Sequence, residues 1–245
     1  MLDILQVFGL QLLIGPYPQG PLGGLALTLV LSVLVLVLSF PLAVVVGVAR
    51  VAERRGVALA AAGFTNAIRG LPLLLVVFWS YYALPFLFGA SVRAETVMVA
   101  ALTLYESAYL GEIVRAGLLA LPAGQSEAAR ALGLGRWTTL RKVLLPQALF
   151  NMIPSFLNQF IVVLKNTSVA YVIGVNEVTN QAYQINSQLL SKPFEVFAIL
   201  AAIYFGLARL LGRGVAAVER RMGQRGTSAR GIAYRRAEAG PRAPG

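Results

Sequence analysis

The chain has 245 residues, 58% of them hydrophobic and only 13% charged, with 21 Lys and Arg against 10 Asp and Glu for a net charge of +11. Soluble domains carry about 45–50% apolar and about 25% charged residues, so this composition belongs in lipid, where a basic excess marks cytoplasmic loops rather than nucleic-acid binding. With no Cys and no His, disulfides, thiolate chemistry, a zinc site, a histidine-based hydrolytic triad and the usual physiological-pH switch are excluded.

Met1 to Gly15 is apolar but too short to cross a bilayer, and is expected to be an interfacial piece of an external N-terminal segment, residues 1–23. No Lys or Arg occurs before residue 50, so no basic n-region of a cleavable signal peptide is present. Leu25 to Ala49 is an uncharged run that reaches roughly 37 Å as a helix, more than the roughly 30 Å of hydrocarbon. Gly70 to Val92 is a second uncharged run, carrying Trp79, Tyr81 and Tyr82. Thr96 to about Arg115 forms a third span, Val143 to Leu164 a fourth, and Phe194 to about Leu211 a fifth. Val169 to Val175 is again too short, and is expected to be interfacial or re-entrant.

The basic residues set the orientation. Arg50, Arg54 and Arg55 follow the first span; Arg130, Arg136, Arg141 and Lys142 separate the third from the fourth; an arginine-rich tail follows the fifth. The other side holds only Arg93, Lys165 and Lys192. The positive-inside bias therefore puts the N-terminus outside and the C-terminus in the cytoplasm. The membrane-spanning body covers residues 24–221, and residues 222–245, rich in Gly, Ala, Pro and Arg, are expected to be a disordered cytoplasmic tail.

The loop of about residues 122–142 is unlike its surroundings. Pro122 and Gly124 end the third span, and Ser126 is placed to cap a new helix beginning at Glu127, whose charge suits the positive end of the helix dipole. Ala128, Ala129 and Ala131 make that helix thin, and Gly133 and Gly135 end it and turn the chain. A thin helix lets another surface approach its backbone, and the arginines keep it out of lipid. A plain solvated loop with an alanine helix is the other reading of these residues.

The spacing Glu127-Ala128-Ala129, three residues, Gly133, nine residues, Val143, one residue, Leu145-Pro146 resembles the signature loop of ABC importer permeases, with Val143 where Ile is commonest. "RGLPLLLVVFWSYYALP" (69–85), "ESAYLGEIVRAGLLALPAGQSEAARALG" (106–133) and "LKNTSVAYVIGVNEV" (164–178) look like the polar amino acid branch. The resemblance covers roughly residues 20–220. It implies an all-α integral membrane protein of the type I importer fold, with five transmembrane helices and a cytoplasmic coupling-helix loop in the bacterial plasma (inner) membrane. It also implies a second permease (the same or a sister chain), two ATPase subunits on the cytoplasmic face and an external solute-binding protein that delivers the amino acid. Glu127, Ala128, Ala129 and Gly133 would then contact the ATPase, with Arg130 at the edge. The chain has no G-x-x-x-x-G-K-[ST] phosphate loop, so it is not itself an enzyme, binds no cofactor, and leaves ATP and Mg to the partner ATPase.

Several polar residues fall inside the spans. In the fourth, Gln147, Asn151, Ser155, Asn158 and Lys165 cluster within about 80° of one helix face, which points to a translocation surface or to a hydrogen-bonded helix seam. Glu106 lies about 13 Å along the helix from Arg115, near mid-membrane. It pairs either with the α-ammonium of a substrate or with Arg69 or backbone amides. Glu112, three residues before Arg115, makes a structural ion pair. Lys165, Asn166, Thr167 and Ser168 are expected at the outer end of the fourth helix, to hold a substrate carboxylate or, for Lys165, to snorkel. The single lysine tilts the substrate towards glutamate, glutamine or aspartate. The rival classes are an ion-coupled secondary transporter, which the absence of a visible inverted repeat opposes, and a non-transporting membrane scaffold, which needs no polar stripe.

Overall fold

The computed structural model describes residues 1–89 and 91–238, with side chains to residue 222. Its elements are helices throughout: α1 (Leu2–Ile14), α2 (Gly24–Arg50), α3 (Arg55–Arg69), α4 (Leu73–Phe88), α5 (Ala94–Leu119), α6 (Ala123–Ala131), α7 (Arg136–Thr139), a π-helical turn (Leu140–Leu144), α8 (Leu145–Asn151), α9 (Ile153–Asn166), a 3₁₀ helix (Thr167–Ile173), α10 (Val178–Leu189) and α11 (Pro193–Glu238). Among the described residues four helices are long and apolar enough to cross a membrane, and a fifth crossing results if α3 and α4, bent by 101° at their junction, count as one broken span. The bend falls at Gly70-Leu71-Pro72, where the proline removes a donor and pushes Leu71 out of the helical region. Residues 55–69, missed as a helix, carry an amphipathic pattern of small residues between arginines that hydropathy alone does not single out.

The centre of the fold is the crossing of α2 and α5. A Cβ on Gly47 would run into Val114, and one on Gly111 would lie 2.8 Å from a Val46 methyl, so the two backbones meet through glycine. Close backbone approach replaces the hydrophobic drive that lipid cannot supply between spans. Around the crossing, Leu31, Val35, Val77, Met98 and Leu102 form one buried cluster. A second cluster joins Ile4 and Leu12 of α1 to Val178, Ala182 and Ile185 of α10 and Val196 and Ile199 of α11. The opposite face of α1, with Leu2, Val7 and Leu10, is exposed.

The fourth span differs from its sequence-based outline. It does not run from Val143 to Leu164; the stretch long and apolar enough to cross is Ile153–Ile173. Two prolines shift it. Pro146 cannot donate to residue 142 and its ring crowds that carbonyl, and just before it the ladder widens to a π turn in which the Leu145 N–H reaches Leu140 O. Pro154 likewise cannot donate to Phe150 O, which accepts from a backbone N–H at the cap instead, and the helix restarts after Met152. Gly117 of α5 lies against the Met152 side chain at this break, so a Cβ there would collide with its sulfur. At the other end the backbone carries on from α9 into the 3₁₀ helix, so Val169 to Ile173 extends the span rather than forming a separate re-entrant piece, and Gly174 ends it.

Helix α11 continues to Glu238, whereas the sequence reading places a disordered tail from residue 222; residues 239–245 lie outside the described ones.

Candidate functional site

The loop after α5 forms a helix whose start differs from expectation. Pro122, extended, precedes the first turn, and α6 begins at Ala123 rather than Glu127. Proline's fixed φ and missing N–H suit the edge of a helix, so Pro122 sets the boundary ahead of Ser126, which does not cap. Glu127 therefore sits in the second turn. The C-terminus behaves as the glycine suggests: Gly133 has φ 78°, its N–H donates to Arg130 O at 2.9 Å, and the Leu134 N–H donates to Ala129 O at 3.0 Å. That pair of bonds is a Schellman ending, which needs a left-handed residue at Gly133. Ala129 is the buried side of α6, whereas Glu127, Ala128, Arg130 and Gly133 are exposed, and Leu132 is 81% exposed. The helix thus presents a small, largely alanine surface with one acid, one arginine and an apolar tip.

The ends of α2 and α5 are tied together beneath this loop. Arg115 Nε donates to Glu112 at 2.8 Å and Arg50 Nη2 donates to the other oxygen of Glu112 at 3.3 Å. The expected Glu112–Arg115 pair is present, and Arg50 joins it from the neighbouring helix. Arg136 pairs with Glu53, linking α7 to the turn after α2.

Glu106 is fully buried, and both its oxygens are occupied. Gln159 Nε2 donates to Oε2 at 2.7 Å and Asn166 Nδ2 donates to Oε1 at 2.9 Å. Neither Arg69 nor the backbone holds it: Arg69 lies over the Tyr109 ring at 5.2 Å instead. Two side-chain amides from α9 thereby satisfy a buried acid on α5, which is how a polar group is tolerated among apolar helices. Gln159 was missed from the sequence. It lies seven residues before Asn166, two turns along the same face, a spacing that groups the two amides.

The four residues expected together at the outer end of α9 separate. Asn166 turns inward to Glu106, and Thr167 is buried with its hydroxyl donating to Leu164 O at 2.7 Å. Lys165 is exposed, and Ser168 donates to Lys165 O at 2.7 Å. All four lie within the Ile153–Ile173 stretch, not beyond it. The polar stripe survives in part. Gln147 folds back to donate to Val143 O at 2.8 Å, while Asn151, Ser155, Asn158 and Lys165 are exposed and, among the described residues, their side chains make no internal hydrogen bond. The other side of α9 packs inward, with Phe156 edge-on to Phe40 at 5.4 Å between ring centres.

A second buried acid lies at the start of α10. Glu177 caps α10, accepting from the N–H groups of Thr179 and Asn180 at 2.9 Å each and from the Tyr204 hydroxyl at 3.3 Å. The Gly24 N–H bonds Asn176 O at 2.8 Å, so the start of α2 is stitched to the same turn. An acid preceding a polar run is a legible cap; its burial is not.

Residues 39–224 match the family described as the inner membrane component of binding-protein-dependent transport systems. The chain is 38% identical over 200 residues to a probable glutamine ABC transporter permease protein of Bacillus subtilis (strain 168), covering 79% of this chain and 91% of that one. It is 35% identical to an arginine transport system permease protein of the same organism, covering 84% and 94%. Among solved structures it resembles a crystal structure of an amino acid ABC transporter with histidines, with TM-score 0.73, 36% identity and coverage of 81% of this chain and 92% of that one. The chain belongs to the family of inner membrane components of binding-protein-dependent transport systems, among its amino acid ABC permeases.

Proposed function

We propose that this chain is the membrane-spanning subunit of an ATP-driven importer that receives a polar amino acid from an external solute-binding protein. It pairs with a second permease, itself or a sister chain, and ATP is hydrolysed with Mg on separate ATPase subunits. The N-terminus faces outward and the C-terminus the cytoplasm. The observation that carries the reading is α6: a short helix with an exposed alanine face, ended by a left-handed Gly133 and anchored through the buried Ala129. Such a helix fits a groove on a partner. Glu127, Ala128, Arg130 and Gly133 form the coupling contact, whereas Ala129, expected in it, faces inward and anchors the helix.

The exposed Asn151, Ser155, Asn158 and Lys165 form the substrate-facing surface, since polar groups are costly against lipid. Gln147 contributes from the cytoplasmic side. Glu106, Asn166, Thr167 and Ser168 support this surface from behind, the first two by fixing α9 to α5. The substrate carries an α-carboxylate that Lys165 attracts, with glutamine, glutamate and aspartate as the preferred side chains. A secondary transporter or a passive scaffold would not need α6.

Reconstitution of the co-purified transporter in vesicles tests the reading. Gly133→Asp should leave the complex inserted but abolish ATPase stimulation by the loaded binding protein and the uptake that depends on it. Uptake that persists without ATP, or is unchanged in the variant, would overturn it.

A further inference from the structure

Below the crossing of α2 and α5 the surface opens into a cavity of about 660 Å³, adjoined by a second of about 510 Å³. The two share Val48, Ala52, Val57, Trp137 and Leu140, so they form one groove between the end of α2, the start of α3 and the α7–α8 segment. Each volume is within the range of ligand pockets, about 300–1,000 Å³. The inner wall is aliphatic, and Val45 at its upper end is 65% exposed on the flank of α2. The mouth is basic. Arg54, Arg130, Arg136 and Arg141 line it against a single carboxylate, Glu53, which is taken by Arg136. Among the described residues neither Arg54 nor Arg141 has an acidic partner within salt-bridge distance. Trp137, 67% exposed, stands at the same level, as aromatic residues do at a membrane interface.

An apolar slot that opens sideways from a span and ends in unpaired arginines has the two-part chemistry of an anionic amphiphile. We propose that the groove binds one anionic phospholipid, with an acyl chain along Val44, Val48 and Leu145 and the phosphate at Arg54 and Arg141. Basic pockets beside membrane helices suit such headgroups. The bound lipid joins the end of α2 to the segment that carries α6, so it braces the coupling helix from the membrane side. The inference rests on the orientation proposed above only for the leaflet that supplies the lipid.

Native mass spectrometry of the detergent-purified full chain, with whatever subunits accompany it, provides the test. Palmitoyl-oleoyl phosphatidylglycerol is titrated against phosphatidylcholine of the same chains. The wild type should retain one phosphatidylglycerol in preference, and Arg54→Gln/Arg141→Gln should weaken retention about thirtyfold, at about fivefold per arginine lost. Val48→Trp, which fills the slot and keeps the arginines, should remove the bound lipid too. Equal retention of the two lipids by the wild type, or wild-type retention by the double variant, overturns the proposal. Retention is read on the chain itself, so loss of the ATPase partner would count against the importer reading and not against the lipid site.

Discussion

The α6 loop and the Glu106 network are both polar interruptions of an apolar chain, yet they are built in opposite ways. On α6 the charged and small groups point outward and are left unengaged within the chain, with only Ala129 buried. Around Glu106 the bonding turns inward, and both oxygens of the acid on α5 are matched by two amides on α9. The first arrangement leaves its bonding to something outside the chain; the second spends it on holding two helices together. A polar residue in a membrane protein is therefore informative about partners only once its own bonds are known.

The comparison breaks most directly at Glu106. Glu106→Leu strands two part-buried amide donors at about 1–3 kcal/mol each, so a loss of about 2–6 kcal/mol of stability is expected in denaturant titration of the purified chain. Adding Gln159→Leu and Asn166→Leu should recover most of it, because no donor is then left unpaired. A neutral Glu106→Leu would mean that the network does not hold α5 to α9. Next in size is Gly117→Ala, which forces a methyl into Met152 at the kink; overpacking costs about 1–3 kcal/mol, and it should appear as a lowered thermal midpoint.

On the outward-facing side the expected stability effects are smaller, and function is the sharper reading. Gly133→Ala puts a Cβ on a left-handed residue at about 1–2 kcal/mol, whereas Gly135→Ala, at φ −64° with open space around it, should be near neutral. ATPase stimulation should fall for the first and stay for the second. Smallest of all is Glu53→Gln, which removes an ion pair whose partners are largely exposed; exposed pairs contribute about 0–1 kcal/mol. A large loss of stability there would show that the turn after α2 is more tightly held than its exposure implies.

What the sequence discloses follows the same division. Apolar runs place α2 and the start of α11 well because one long uncharged stretch has few alternatives in lipid, and the Gly133 ending of α6 is local chemistry. The fourth span was misplaced because hydropathy counts residues and not the ladder bonds that Pro146 and Pro154 remove. Helix α6 starts at Ala123 because Pro122 sets its boundary before Ser126 is reached. The partners of Glu106 lie 53 and 60 residues away in the chain, and nothing local to Glu106 names them. The exposed stripe of Asn151, Ser155 and Asn158 was legible as a period, but which members bond inward, as Gln147 bonds to its own backbone, depended on breaks that the period ignores.

The central claim is that α6 is the contact with an ATPase. The chain has no cysteine, so Leu132→Cys introduces a single thiol at the exposed tip of α6, and a short bifunctional crosslinker applied to membranes from cells making the whole transporter reads what lies beside it. The account predicts one crosslinked product containing an ATP-binding subunit, absent from a Val45→Cys control on the lipid-facing flank of α2. A thiol that crosslinks to nothing, or that a membrane-impermeant reagent reaches from outside intact cells, would contradict it.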